Sequence, residues 1–173
     1  MENLKIIKIG GNIIDNEAAL EKFLSQFSTL TGPKILVHGG GKLATKLAHD
    51  MDVPVNMVDG RRVTDATTLD IITMVYAGKI NKNVVAKLQA YNCNAIGFTG
   101  ADGNTILAVK RPVKKIDYGF VGDVKKVNTK VINVLLENNI TPVFCAITHD
   151  KNGQLLNTNA DTIASELAIG LSR

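Results

Sequence analysis

Lys8 stands inside an apolar run, LKIIKIG, and Gly10-Gly11 follow it at once. A charge at a buried strand position is costly unless a partner compensates it. The adjacent glycines expose backbone N–H groups with no Cβ in the way, so an anion can rest directly on the backbone. An ammonium beside such amides suits a phosphoryl group, whose transfer depends on positioning and on neutralising charge at its equatorial oxygens. The pattern returns in KILVHGGGK, residues 34–42, which delivers Gly39, Gly40 and Gly41. Two such loops are more informative than one. The plain alternatives are tight turns and a lysine that snorkels to solvent.

Arg62, after Asp59-Gly60-Arg61, is a candidate clamp for a carboxylate through paired hydrogen bonds. A solvated arginine is its dull alternative. Asn157 and Asp161 lie four apart at the expected start of the last helix, and so one turn apart on one side. Asn157, Asn159 or both could equally be caps of that helix.

Other chemistries fit less well. Neither loop is a Walker A site, because no glycine lies five residues before Gly41-Lys42 and no Ser or Thr follows Lys42. Gly39-x-Gly41-x-x-Ala44 does imitate a dinucleotide fingerprint, with Asp59 near the place of a ribose-binding carboxylate. Such a site has no need of Lys8 or of the NTNAD cluster at 157–161. Cys93 and Cys145 belong to no CxxC and have no histidine at ligand spacing, so two buried thiols are expected, with no metal site. The net charge of +4 comes from scattered lysines, not from a stripe interleaved with aromatics. That disfavours nucleic acid and favours a small anionic ligand held by a few placed cations. No apolar run has membrane-spanning length, and the start MENLKIIKIGG is too short for a signal peptide. The expectation is a cytoplasmic protein with no membrane partner.

The elements that must carry these residues alternate strand, glycine turn and helix. LKIIKIG (4–10) reads as a strand, followed by a helix that Asp15 caps; KILVH (34–38) is a strand, and 42–51 a helix. Such alternation predicts an α/β fold with a mainly parallel sheet, since parallel neighbours need a crossover. Residues 64–92 read as one long helix with Thr64 or Asp65 as its cap, apolar around most of its circumference. A helix of that kind is buried centrally or against another subunit; the second reading is preferred. NAIGFTG (94–100) reads as a strand, and TILAVKRPV and YGFVGDVKKV as antiparallel excursions. Asn128 is placed to cap a helix, ITPVFCAIT (140–148) reads as one strand, and Ile163, Leu167 and Leu171 recur at helical spacing near the end. With 173 residues and 45% apolar content, the chain is expected to form a single domain.

Taken in order, IIKIGGNIID, ILVHGGGK, DGRRVTD, DIITMVYAGKINK, GFTGADG, FVGDV, LLENNITPV and QLLNTNADTIASELA resemble the amino acid kinase family. They cover the chain nearly end to end, and within the family they are most similar to members acting on acyl-glutamates. The resemblance implies an αβα sandwich on a mainly parallel open sheet. It also implies phosphorylation of the side-chain carboxylate of N-acetyl-L-glutamate, in arginine biosynthesis, with ATP and Mg2+ and in a cytoplasmic homodimer. Lys8 would stabilise the migrating phosphoryl group, and the amides of Gly10, Gly11 and Gly40 would bind its oxygens. Gly40, Gly41, Arg62 and Asn157 would hold the acyl-glutamate, with Arg62 on its α-carboxylate, and Asp161 would orient Lys8. No metal ligand is implied among these residues.

The resemblance further implies an ATP-binding half after the last helix, carrying a second lysine. Residues 1–173 are therefore expected to be an acyl-glutamate-binding domain that does not phosphorylate efficiently by itself. The N-terminal helix similar to that of arginine-inhibited, hexameric members is not in the sequence, so feedback inhibition through it is not expected. Thr148 stands where the family usually has a glycine. Three rival readings remain: an N-succinyl-L-glutamate kinase, an NAD-binding oxidoreductase and a non-catalytic acyl-amino-acid binding module.

Overall fold

A computed structural model describes residues 3–172. Its central sheet is parallel, in the order β1 (Lys5–Ile9), β2 (Lys34–His38), β8 (Thr141–Cys145) and β5 (Ala95–Phe98). Helices α1 (Gly11–Ile14), α2 (Glu17–Ser28), α3 (Gly41–Asp50), α4 (Ala66–Thr73), α5 (Asn81–Ala90), α6 (Thr129–Glu137) and α7 (Ala160–Leu171) supply the crossovers. Successive strand residues face opposite sides of a sheet. Lys8, in register with Val37, reaches Asp161 at the start of α7, whereas His38, the next residue of β2, reaches Asn81 at the start of α5. Helices therefore cover both faces, the layered α/β arrangement expected. Every residue of β2 and β8 is buried, as a strand covered on both sides requires.

Lys34 is the charged member of β2. Its Nζ donates to the carbonyls of Phe27, Ser28 and Leu30 at 3.1, 2.9 and 2.7 Å, closing the carbonyl end of α2 with a cation. The same ammonium lies 5.3 Å from the centre of the Phe27 ring.

A second sheet has the order β10 (Leu155–Asn157), β9 (Ile147–His149), β6 (Ile106–Lys110), β7 (Gly122–Val127). β6 and β7 are antiparallel, as read from the sequence. A short antiparallel hairpin, β3 (Met57–Val58) with β4 (Arg61–Arg62), lies between α3 and α4 in the chain.

Four details differ from the sequence reading. Asn16, not Asp15, caps α2, accepting from the Ala19 amide at 3.0 Å; Asp15 ends the short α1. Residues 140–148 form two strands in two sheets, because the chain passes at Ala146 from β8 to β9. The long helix is interrupted. Asp65 caps α4 through the Thr68 amide, and the stretch Met74–Ile80 then adopts the wider π-helical turn before α5 begins. Its apolar residues Leu69, Ile71, Ile72, Val75, Tyr76 and Ile80 are buried within the chain, while Met74 stays 53% exposed. Finally, Asn157 lies on β10 rather than on the last helix, and Asn159 is the cap of α7.

Candidate active site

Lys8 lies near the carboxyl end of β1, and Gly10 is the N-cap of α1. Gly40 is likewise the N-cap of α3, just past the carboxyl end of β2. Neither cap uses a side chain, so the first amides of both helices remain available to a ligand. Because β1 and β2 are parallel neighbours in register, their two glycine turns open at the same sheet edge. In open parallel sheets this is where ligands bind.

A cavity of about 240 Å³ opens there. Every site residue predicted from the sequence lines it: Lys8, Gly10, Gly11, Gly40, Gly41, Arg62, Asn157 and Asp161. The Lys8 ammonium turns toward the first glycine turn, lying 3.8 Å from where a Gly10 Cβ would be, and pairs with Asp161 Oδ1 at 2.9 Å. With side chains 29% and 70% exposed, that pair adds little stability. Asp161 is held in turn by α7, whose cap Asn159 accepts from the Asp161 and Thr162 amides at 2.8 and 3.2 Å.

Across the cavity Arg62 is 8% exposed. Its Nη2 donates to the Gly41 carbonyl at 3.0 Å and to Thr45 Oγ1 at 2.7 Å, which fixes the guanidinium against α3. Asn157 Nδ2 donates to Thr64 Oγ1 at 3.0 Å, and the Asn157 amide donates to the Phe120 carbonyl. Tyr76 stands under the second loop; burial pushes its hydroxyl pKa up, and the nearby Arg62 charge opposes that shift. Gly40 has φ +154°, and a Cβ there would fall 2.1 Å from Ile80 Cδ1. The loop is thus seated on the π-helical stretch, and only glycine fits.

Among the lining residues that were not singled out from the sequence, Arg111 and Tyr76 carry chemistry. Arg111, at the end of β6, donates from Nε and Nη2 to Asp123, with Nη2–Oδ1 at 2.5 Å, and lies 5.6 Å from the Tyr118 ring centre. Tyr76 read only as one apolar position of a helix. Neither carries a local signal, because both arrive by tertiary packing. Asp59, the carboxylate of the dinucleotide reading, is in the β3–β4 turn and is not among the lining residues.

A family model described as the amino acid kinase family matches residues 3–172. The chain belongs to the amino acid kinase family. Among its curated relatives is a protein of Cytophaga hutchinsonii named acetylglutamate kinase, 62% identical over 99% of this chain and 65% of its own length. A second of that name, from Phocaeicola vulgatus, is 56% identical over 99% of this chain and 66% of its own length. The chain thus spans about two thirds of the length of these kinases. A solved structure, smu.665 from Streptococcus mutans UA159, superposes with a TM-score of 0.83 at 28% identity, covering 99% of this chain and 70% of that one.

Proposed function

We propose that this chain supplies the acyl-glutamate and phosphoryl-binding part of an acetylglutamate kinase, a phosphotransferase acting on the side-chain carboxylate of N-acetyl-L-glutamate. One observation carries the reading: the Lys8 ammonium and two uncapped glycine turns converge on one cavity whose far wall holds the buried Arg62. The names of the relatives above support it. In this reading Arg62 takes the α-carboxylate, and the side-chain carboxylate points to the two turns. There one of its oxygens bonds to the terminal phosphorus of ATP as the bond from that phosphorus to the ADP oxygen breaks. The amides of Gly10, Gly11 and Gly40 hold the equatorial oxygens and Lys8 neutralises their charge, while Asp161 keeps Lys8 aimed.

The donors around the cavity fit phosphates. Asp161 is the one carboxylate among the described lining residues, and Lys8 occupies it, so Mg2+ would enter on the phosphates of the nucleotide. Bound there, it would neutralise phosphate charge. A cytoplasmic homodimer contributing to arginine biosynthesis belongs to the same proposal, with Met74 as an exposed apolar contact.

Titration calorimetry with N-acetyl-L-glutamate tests the reading. Wild-type chain binds, and Lys8→Met retains most of that affinity while abolishing phosphoryl transfer in the complete enzyme, since its charge is needed chiefly in the transition state. A wild-type chain with no affinity for the acid refutes the assignment.

One observation favours a second acyl group. Arg111 is a further guanidinium in the wall, braced by Asp123 and Tyr118, and the three Asp123 bonds come from Nε and Nη2, not Nη1. N-succinyl-L-glutamate carries a terminal carboxylate that could meet it. Tighter binding of the succinyl than of the acetyl compound, lost in Arg111→Gln, supports this reading; a preference for acetyl removes it.

A further inference from the structure

The second glycine loop begins from a buried polar cluster that the mechanism above does not use. His38, the last residue of β2, is fully buried, and Asn81, the first of α5, is 1% exposed. Their bonds fix each other's orientation. Asn81 Nδ2 donates to the Val143 carbonyl at 2.9 Å, and a flipped amide would set oxygen against oxygen there. The same NH2 group lies 3.0 Å from His38 Nε2, so that ring nitrogen must accept. The proton therefore resides on Nδ1, which donates to the Gly39 carbonyl at 2.8 Å. On its other side, Asn81 Oδ1 accepts from Lys82 Nζ at 3.1 Å. Gly97 of β5 leaves the room for it, since a Cβ at that position would fall 1.8 Å from Asn81 Oδ1.

This chain of bonds begins on β8, crosses the start of α5 and ends on the first peptide of the Gly39–Gly41 loop. The carbonyl it holds belongs to the peptide whose amide is that of Gly40. A planar peptide turns as one unit, so holding the Gly39 carbonyl also fixes the direction of the Gly40 N–H. Gly40 itself has no Cβ to restrict it, and its φ of +154° is unusual even for a loop.

We propose that His38, as the Nδ1–H tautomer anchored by Asn81, is a positioning residue that aims the Gly39–Gly41 amides into the cavity. It touches no ligand. The use made of those amides rests on the phosphoryl-transfer reading, but their orientation does not.

Two substitutions separate the two bonds. Asparagine can place its Nδ2 where Nδ1 was, keeping the donation to Gly39 and losing the contact with Asn81. Glutamine can place Oε1 where Nε2 was, keeping Asn81 and losing Gly39. Each variant gives up one buried hydrogen bond, so a purely structural role predicts similar losses in both. The positioning role predicts that His38→Gln alone speeds hydrogen exchange at the Gly40 and Gly41 amides and weakens N-acetyl-L-glutamate about tenfold. His38→Asn stays near wild type in both readouts. Equal behaviour of the two variants, or the reverse order, overturns the proposal. Nitrogen-15 NMR of the wild-type imidazole gives an independent answer even if a variant does not fold, and an Nε2–H tautomer also overturns it. If the wild-type chain binds no N-acetyl-L-glutamate, the functional assignment fails while exchange and tautomer still decide this one.

Discussion

Arg62 shows how one side chain can belong to both the scaffold and the site. Its Nη2 is spent on the Gly41 carbonyl and Thr45 Oγ1, which leaves its other edge rigidly presented to the cavity. Lysine cannot reproduce that, because an ammonium lacks the planar fork. Arg62→Lys is expected to weaken N-acetyl-L-glutamate by about 10- to 100-fold, equivalent to roughly 1.5–3 kcal/mol, read by calorimetry. An unchanged affinity would remove Arg62 from the carboxylate role. The sequence exposed Lys8 and the glycines because each breaks a local rule: a cation in an apolar strand, or backbone stripped of side chains at a strand end; Arg62 stood out only as an arginine beside the Asp59-Gly60 turn. Arg111 and His38 break none. Arg111 reads as one charge within the antiparallel excursion TILAVKRPV, and a single histidine at a strand end has no pattern to betray a partner 43 residues away.

At the scale of the element, the π-helical stretch Met74–Ile80 matters most, because Gly40 rests on its Ile80 and Tyr76. Gly40→Ala should destabilise the chain by about 1–3 kcal/mol in urea unfolding, from the positive φ and the contact with Ile80 Cδ1 together. Ile80→Val removes that terminal methyl, so the double variant should recover part of the loss but not the backbone part. A Gly40→Ala protein as stable as wild type would show that the loop can relax. Asn159→Ala, which strips the cap from α7, is expected to cost about 1 kcal/mol by the same measurement. Most of this scaffold was legible. The strands at 5–9 and 34–38, the caps Asp65 and Asn128 and the antiparallel pair at 106–127 follow from apolar runs, glycine stops and capping residues. The sheet change at Ala146 and the π turn were not, because a continuous apolar run looks the same whether it serves one sheet or two, and periodicity cannot register one widened turn.

For the whole molecule, the buried His38 sets an acid limit. Burial lowers its pKa from 6.5 to about 4, with the Lys82 charge adding to the shift and the bond to Gly39 opposing it. Below 6.5 the unfolded chain takes up a proton that the folded chain refuses, so this contribution is complete above that pH. It is lost as pH falls from about 6.5 to about 4, on the order of 3 kcal/mol in all. Urea midpoints measured between pH 7 and pH 4 should therefore decline, and His38→Asn should flatten the decline; an equally steep profile in that variant would assign the loss to carboxylates instead. The passage at Ala146 has a different kind of consequence. Residues 143–148 are all shielded from solvent, and Ala146 forms part of the cavity lining while its neighbours serve two sheets at once. Directed evolution aimed at that floor has little freedom, since Val143, Phe144, Cys145, Ile147 and Thr148 are fully buried and a larger side chain at any of them meets packed neighbours. New ligand preferences are to be sought instead at the rim, where Met57 and Arg61 stand on the short β3–β4 hairpin and Arg111 follows the end of β6.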